Sequence, residues 1–97
     1  MPTYERLARF RREYSQLSPE MRAAFLEALA QFIEDADTGQ FRPSLRVKRV
    51  RSSRLRLWEM SFAQDGRATF EMVPGAVRGG VMHIRWHRIG DHSILDQ

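Results

Sequence analysis

The chain has 97 residues and no cysteine, which confines residues 1–97 to a single domain and excludes disulfides and cysteine-based metal sites. Apolar residues at 42% and charged residues at 29% exclude a disordered chain, and no apolar run reaches the roughly 18 residues needed to span a membrane. The net charge is +4, and its distribution says more than its sum. Residues 1–40 carry five basic and seven acidic groups, residues 41–56 carry seven basic and none acidic, and residues 57–97 carry four and five.

The start, Met1-Pro2-Thr3-Tyr4-Glu5, is polar and lacks the apolar core of a signal peptide, so a cytoplasmic location is expected. Leu7, Phe10, Tyr14 and Leu17 then recur at helical spacing and predict a first helix. Ser18-Pro19 breaks it. Ser18 suits an N-cap and Pro19 the first helical position, where a missing N–H costs nothing. The second helix carries an apolar stripe of Met21, Phe25, Ala28, Leu29, Phe32 and Ile33, and Asp37-Thr38-Gly39 ends it.

After Gly39 the period falls from 3.6 to 2. Leu45, Val47 and Val50 suggest a short strand, and a second runs from Leu55 to Phe62 with Trp58, Met60 and Phe62 on one face. Gln64-Asp65-Gly66 is a hairpin turn signal. The third strand, Arg67 to Val73, sets Ala68, Phe70 and Met72 against Arg67, Thr69 and Glu71. Pro74 to Gly80 is a glycine-rich loop. The fourth strand, Val81 to Ile89, sets Met82, Ile84 and Trp86 against His83, Arg85 and His87. This order predicts an α+β fold in which two N-terminal helices pack on one face of a mostly antiparallel four-stranded sheet.

The basic run of Arg42, Arg46, Lys48, Arg49, Arg51, Arg54 and Arg56 has no interspersed acid and points to contact with a polyanion, nucleic acid first. Arg85 and His87 on the polar sheet face would extend that platform, although any solvent-facing sheet surface is polar. His83 and His87 stand four apart on a strand, about 13 Å, too far to share a metal ion, so no metal or other cofactor is expected. His92 follows a strand end, an accessible place for an acid–base group. Arg67 and Arg88 near it would hold a phosphate.

The stretches Leu45-Arg46-Val47-Lys48-Arg49-Val50, Leu57-Trp58-Glu59-Met60, Asp65-Gly66-Arg67-Ala68-Thr69-Phe70 and His83 through His92 together resemble toxins of the RelE/ParE superfamily. The resemblance spans nearly the whole chain. It implies an endoribonuclease that cuts mRNA, often on the ribosome, and that is neutralised by a cognate acidic antitoxin. By the same resemblance Arg67 and Arg88 are cationic groups at the phosphate, His92 is an acid or base, and Glu59, standing where some members carry Lys, is a base or an orienting group in catalysis. Two features depart from the pattern. Ile94 and Leu95 occupy a region where many members have an aromatic residue, and Glu59 and Ser61 replace a basic pair. These departures leave open a branch that inhibits DNA gyrase without cutting RNA, and a degenerate toxin that only binds its antitoxin.

Overall fold

The computed structural model describes residues 2–51, 56–73 and 82–95. Arg54, the Leu55 start of the second predicted strand, the Pro74–Gly80 loop and Val81 lie outside them. The chain runs β1 (Thr3–Arg6), α1 (Ala8–Ser15), α2 (Pro19–Ala36), a 3-10 turn (Pro43–Leu45), β2 (Lys48–Arg49), β3 (Leu57–Ser61), β4 (Gly66–Val73), β5 (His83–Asp91) and a second 3-10 turn (His92–Leu95). Among the described residues five strands form one sheet in the order β1-β5-β4-β3-β2. No helix among them is long and apolar enough to cross a membrane.

The expected four-stranded sheet is therefore five-stranded and mixed. The added strand is β1, which runs parallel to β5 with Thr3 beside His83 and Arg6 beside Trp86. Thr-Tyr-Glu-Arg holds one apolar residue, too short a pattern to declare period 2, and its partner lies 80 positions away. The other departures are local. β2 shrinks to two residues because Leu45 turns into a 3-10 helix and Arg46 caps it in the left-handed conformation. α1 is shorter than expected, since Leu7 is its extended N-cap and Leu17 lies beyond its end.

The punctuation of α2 forms as expected. Ser18 Oγ accepts the Met21 N–H at 3.2 Å, and Pro19 opens the helix. Gly39, at φ +77°, donates its N–H to the Asp35 carbonyl. Phe10 of α1 and Phe25, Ala28 and Phe32 of α2 press onto Met60, Ala68, Phe70, Ile84, Trp86 and Ile89 of the sheet. Phe32 meets Phe70 at 5.0 Å nearly edge-on, and Phe25 meets Phe62 at 5.4 Å in the same way. Each such ring contributes about 1.5–3 kcal/mol through burial. Ile33, expected in the apolar stripe, lies with Leu26 on the exposed side of α2.

A bulge in the β4–β5 ladder corrects the alternation. Thr69 pairs with Arg88 but Phe70 with Trp86, so His87 is an extra residue. Strict alternation would send Arg88 into the core after Ile84 and Trp86. The bulge resets the phase, and Ile89 is buried in its place.

Candidate functional site

The pleat places Glu59 and Ser61 of β3, Arg67, Thr69 and Glu71 of β4, and Arg85 of β5 on the sheet face away from the helices, with His87 at the bulge. The residues singled out from sequence divide into three groups on this face and its rim.

The first group sits at one end of the β4–β5 ladder. Gly66 pairs with Asp91 and Arg67 with Gly90, which brings Arg67 beside the strand end that carries His92. The tight turn before Arg67 needs glycine for space as well as sequence signal. A Cβ on Gly66 would lie 2.6 Å from the Phe62 ring. Arg67 folds one corner of its guanidinium onto that turn, Nη1 donating to the carbonyls of Gly66 at 2.9 Å, Ala63 at 3.2 Å and Gln64 at 3.4 Å. All its hydrogen bonds to described residues use Nη1. The Nε–Nη2 edge, the one that grips a phosphate through two parallel bonds, has no partner among them. His92 is exposed, and its backbone N–H donates to Asp65 Oδ1 at 3.2 Å. Asp91 accepts the Ser93 hydroxyl and backbone N–H, and these bonds hold its carboxyl below the usual range. Asp65 thus ties the β3–β4 turn to the segment bearing His92.

The second group is a row across the middle of the sheet: Lys48, Glu59, Thr69 and Arg88 are successive register partners. Glu59 is buried, with Lys48 Nζ 3.7 Å from its carboxylate. Thr69 Oγ1 is also buried and has no hydrogen-bond partner among the described residues. Arg88 turns to the rim and holds α1: its Nη2 lies 2.8 Å from Glu13 Oε2, and the same carboxylate accepts the Ile89 N–H. The Arg88 guanidinium is therefore engaged by an acid 75 positions away, although Arg88 lies only two rungs from the Arg67–Gly90 pair and its Nη1 donates to the Ile94 carbonyl at 3.5 Å in the turn that starts at His92.

The third group is a charge network over β1, β5 and β4. His83 bridges Thr3 Oγ1 at 2.7 Å and Glu5 at 2.8 Å, and Arg85 spans Glu5 at 2.9 Å and Glu71 at 3.0 Å. His87 Nε2 lies 3.0 Å from the same Glu71 oxygen. Bonds from Arg85 and His83 lower the Glu5 carboxyl, and bonds from His87 and Arg85 lower that of Glu71. Arg85 and His87, expected to bind RNA, are thus matched by two carboxylates.

The basic run divides in the same manner. Arg42 is bound to Asp35 at 2.8 Å and to Glu34 at 3.1 Å, Lys48 faces Glu59, and the Arg49 guanidinium stacks 5.5 Å above the Trp58 ring. Arg46, Arg51 and Arg56 are exposed, and no acid among the described residues pairs with them. No cluster of three histidine or acidic side chains fit to hold a metal occurs among the described residues. Sequence reasoning missed Glu5, Glu13 and Asp35 as partners. Asp65 carried a signal only as a turn residue.

No family model matches the chain, and no curated protein matches it. Two solved structures do. One is the YafQ toxin in the DinJ–YafQ complex of Escherichia coli, at a TM-score of 0.68 and 12% identity over 100% of both chains. The other is a copper-bound point mutant of a toxin from Helicobacter pylori, at a TM-score of 0.66 and 13% identity over 98% of this chain and 99% of that one. At such identities the likeness is one of fold. The protein has the fold of RelE-family toxins.

Proposed function

We propose that this protein is the toxin of a toxin–antitoxin pair and that it cuts mRNA, with the ribosome presenting the strand. The observation that carries the reading is the juxtaposition of Arg67, with one edge of its guanidinium unpaired among the described residues, and the exposed His92 segment anchored by Asp65. Cutting RNA here needs a base, an acid and positive charge at the phosphate. A base takes the proton of the ribose 2′-hydroxyl, and the oxygen attacks the adjacent phosphorus. The bond from phosphorus to the 5′-oxygen breaks, and an acid returns a proton to that oxygen. Arg67 stabilises the charge on the phosphoryl oxygens, and His92 serves as acid or base. Glu59, beside Lys48, supplies a second carboxylate on the same face, and Arg88 supports the strand through Glu13. Arg46, Arg51 and Arg56 position the strand through its phosphates, together with Arg54 and Arg49, and with Arg42, Lys48, Arg85 and His87 to the extent that their acid partners release them.

An acidic antitoxin is the natural partner. A groove of about 460 Å³ on the helix side, lined by Tyr14, Leu26, Ile33, Arg6 and Arg11 among others, offers apolar surface with a cationic rim. The second reading is a toxin that binds gyrase and cuts nothing. The engagement of Arg88 by Glu13 favours it, because that cation is already neutralised.

The test is inducible expression in a bacterium, read by growth and by primer extension on a reporter mRNA, with His92→Ala alongside. Arrest with discrete cuts that vanish in folded His92→Ala supports cleavage. Cuts that persist in His92→Ala remove the role of His92. Arrest with intact mRNA moves the assignment to the gyrase-type reading.

A further inference from the structure

β2 reaches only as far as Glu59, so the Ser61 end of β3 has no neighbouring strand on that side among the described residues. The gap is a cleft of about 520 Å³ between α2, the 3-10 turn at Pro43–Leu45 and the β3–β4 hairpin, within the roughly 300–1,000 Å³ of small-ligand sites. Its α2 wall combines small Ala24 and Ala28, which leave the space open, with Glu27 and Gln31, which stand one turn apart on the same face. Opposite lie Arg46, Gln64 and Arg67. A lining with two arginines and one glutamate suits a ligand that is an anion at one end and an N–H donor at the other.

Arg46 supplies an independent observation. Its φ of 50° and ψ of 45° make it the one non-glycine residue with positive φ among the described residues. That conformation costs an L-residue of this type free energy, and such strain concentrates at ligand-holding positions. A glycine would fit the backbone of this cap without strain, and the arginine found there adds an exposed cation to the cleft lining. Arg67 lines the cleft where its guanidinium folds onto the β3–β4 turn, and its Nε–Nη2 edge is unpaired among the described residues.

We infer that this cleft is a ribonucleotide subsite that seats the phosphate between Arg46 and Arg67 and reads a guanine base through Glu27. Guanine presents N1–H and N2–H side by side, matching the two oxygens of a carboxylate. Uracil offers one such donor, and adenine presents an acceptor at N1. Gln31 and Gln64 supply amide groups for the remaining edges. The assignment deepens the mRNA-cleavage reading, with which it shares Arg67, and rests on it only in naming RNA as the source of the nucleotide.

The experiment titrates the purified full chain with GMP, UMP and inorganic phosphate, followed by NMR chemical shifts. GMP is expected to bind about tenfold tighter than UMP, with inorganic phosphate weakest and the shifts centred on Glu27, Arg46 and Arg67. Glu27→Gln should abolish the preference for GMP over UMP. Arg46→Gly should weaken GMP about tenfold while raising the urea midpoint, a pair of effects that a purely structural role for Arg46 does not produce. Equal affinity for GMP and inorganic phosphate, shifts centred elsewhere, or unchanged GMP binding in Arg46→Gly would each overturn the subsite. The two readings separate cleanly. Absence of RNA cuts together with Glu27-dependent GMP binding sinks cleavage and keeps the subsite. Cuts whose positions and efficiency are the same in Glu27→Gln and Arg46→Gly keep cleavage and sink the subsite.

Discussion

Gly66 fixes the direction in which Arg67 leaves the β3–β4 turn, because the Phe62 ring fills the space a side chain there would need. Adding one methyl, as in Gly66→Ala, forces Phe62 out of its edge-on contact with Phe25. Overpacking of this kind costs about 1–3 kcal/mol. The expected result is a lower urea midpoint for Gly66→Ala, with Phe62→Leu recovering part of the loss in the double variant. A midpoint equal to that of the parent protein would show that the ring yields freely and that the turn does not depend on glycine. At this scale the sequence was readable where a residue announces its own geometry. Gly66 marked the turn, Gly39 the end of α2 and Ser18-Pro19 its start, and His92 followed a strand end as expected. The partners that define chemistry were not readable. Glu13 meets Arg88 across 75 positions, Glu5 meets Arg85 across 80, and Asp65 meets the His92 N–H across 27. No local pattern encodes a contact that exists only after the sheet has closed.

Between elements, Asp35 and Arg42 brace the end of α2 against the start of the basic run. Asp35 accepts the Arg42 Nε–H at 2.8 Å, its Nη2–H at 2.9 Å and its backbone N–H at 2.8 Å. These bonds, the side-chain pair foremost, hold the Asp35 carboxyl at about 2, against roughly 3.9 for an aspartate in an unfolded chain. A folded-state value below the unfolded one means that the brace is at full strength above about pH 4 and fades as pH falls toward 2. Asp35→Asn should therefore lower the urea midpoint at pH 7, and the gap to the parent protein should close between pH 4 and 2. Glu5, Glu71 and Asp91 are also lowered, but they titrate in both proteins and drop out of the difference. A gap that is constant with pH would mean that the ionised carboxylate is not what holds Arg42. The sequence showed both helices and three of the strands because each has a repeated period. It missed β1, whose four residues carry one apolar side chain, and it missed the bulge at His87, because an inserted residue changes phase without changing composition. Nor did it show the acids on the polar sheet face: the carboxylates of Glu5 and Glu71 come to Arg85, and that of Glu71 to His87, from other strands.

The charge of the whole molecule follows from this bookkeeping of partners. Seven basic groups between 41 and 56 stand against no acid in that segment, yet the fold brings Asp35 and Glu34 to Arg42, Glu59 to Lys48 and the Trp58 ring to Arg49. The exposed cations in the described part of the run that have neither an acid nor a ring partner among the described residues are Arg46, Arg51 and Arg56. Each phosphate neutralised on single-stranded RNA releases counterions and contributes about 0.7 to the slope of log affinity against log salt. A cation already matched by a carboxylate neutralises little phosphate charge, so the RNA gives up few of its condensed counterions to it. Measured with a short single-stranded RNA across a salt series, Arg51→Ala and Arg56→Ala should each flatten the slope by about 0.7. Arg42→Ala and Arg85→Ala should leave the slope close to that of the parent protein, while Arg42→Ala lowers the urea midpoint. If Arg42→Ala flattens the slope as much as Arg51→Ala, the RNA pulls Arg42 from Asp35, and the full run of 42–56 acts as one electrostatic footprint. If none of the four changes the slope, the strand lies elsewhere, and the excess charge serves an acidic protein partner.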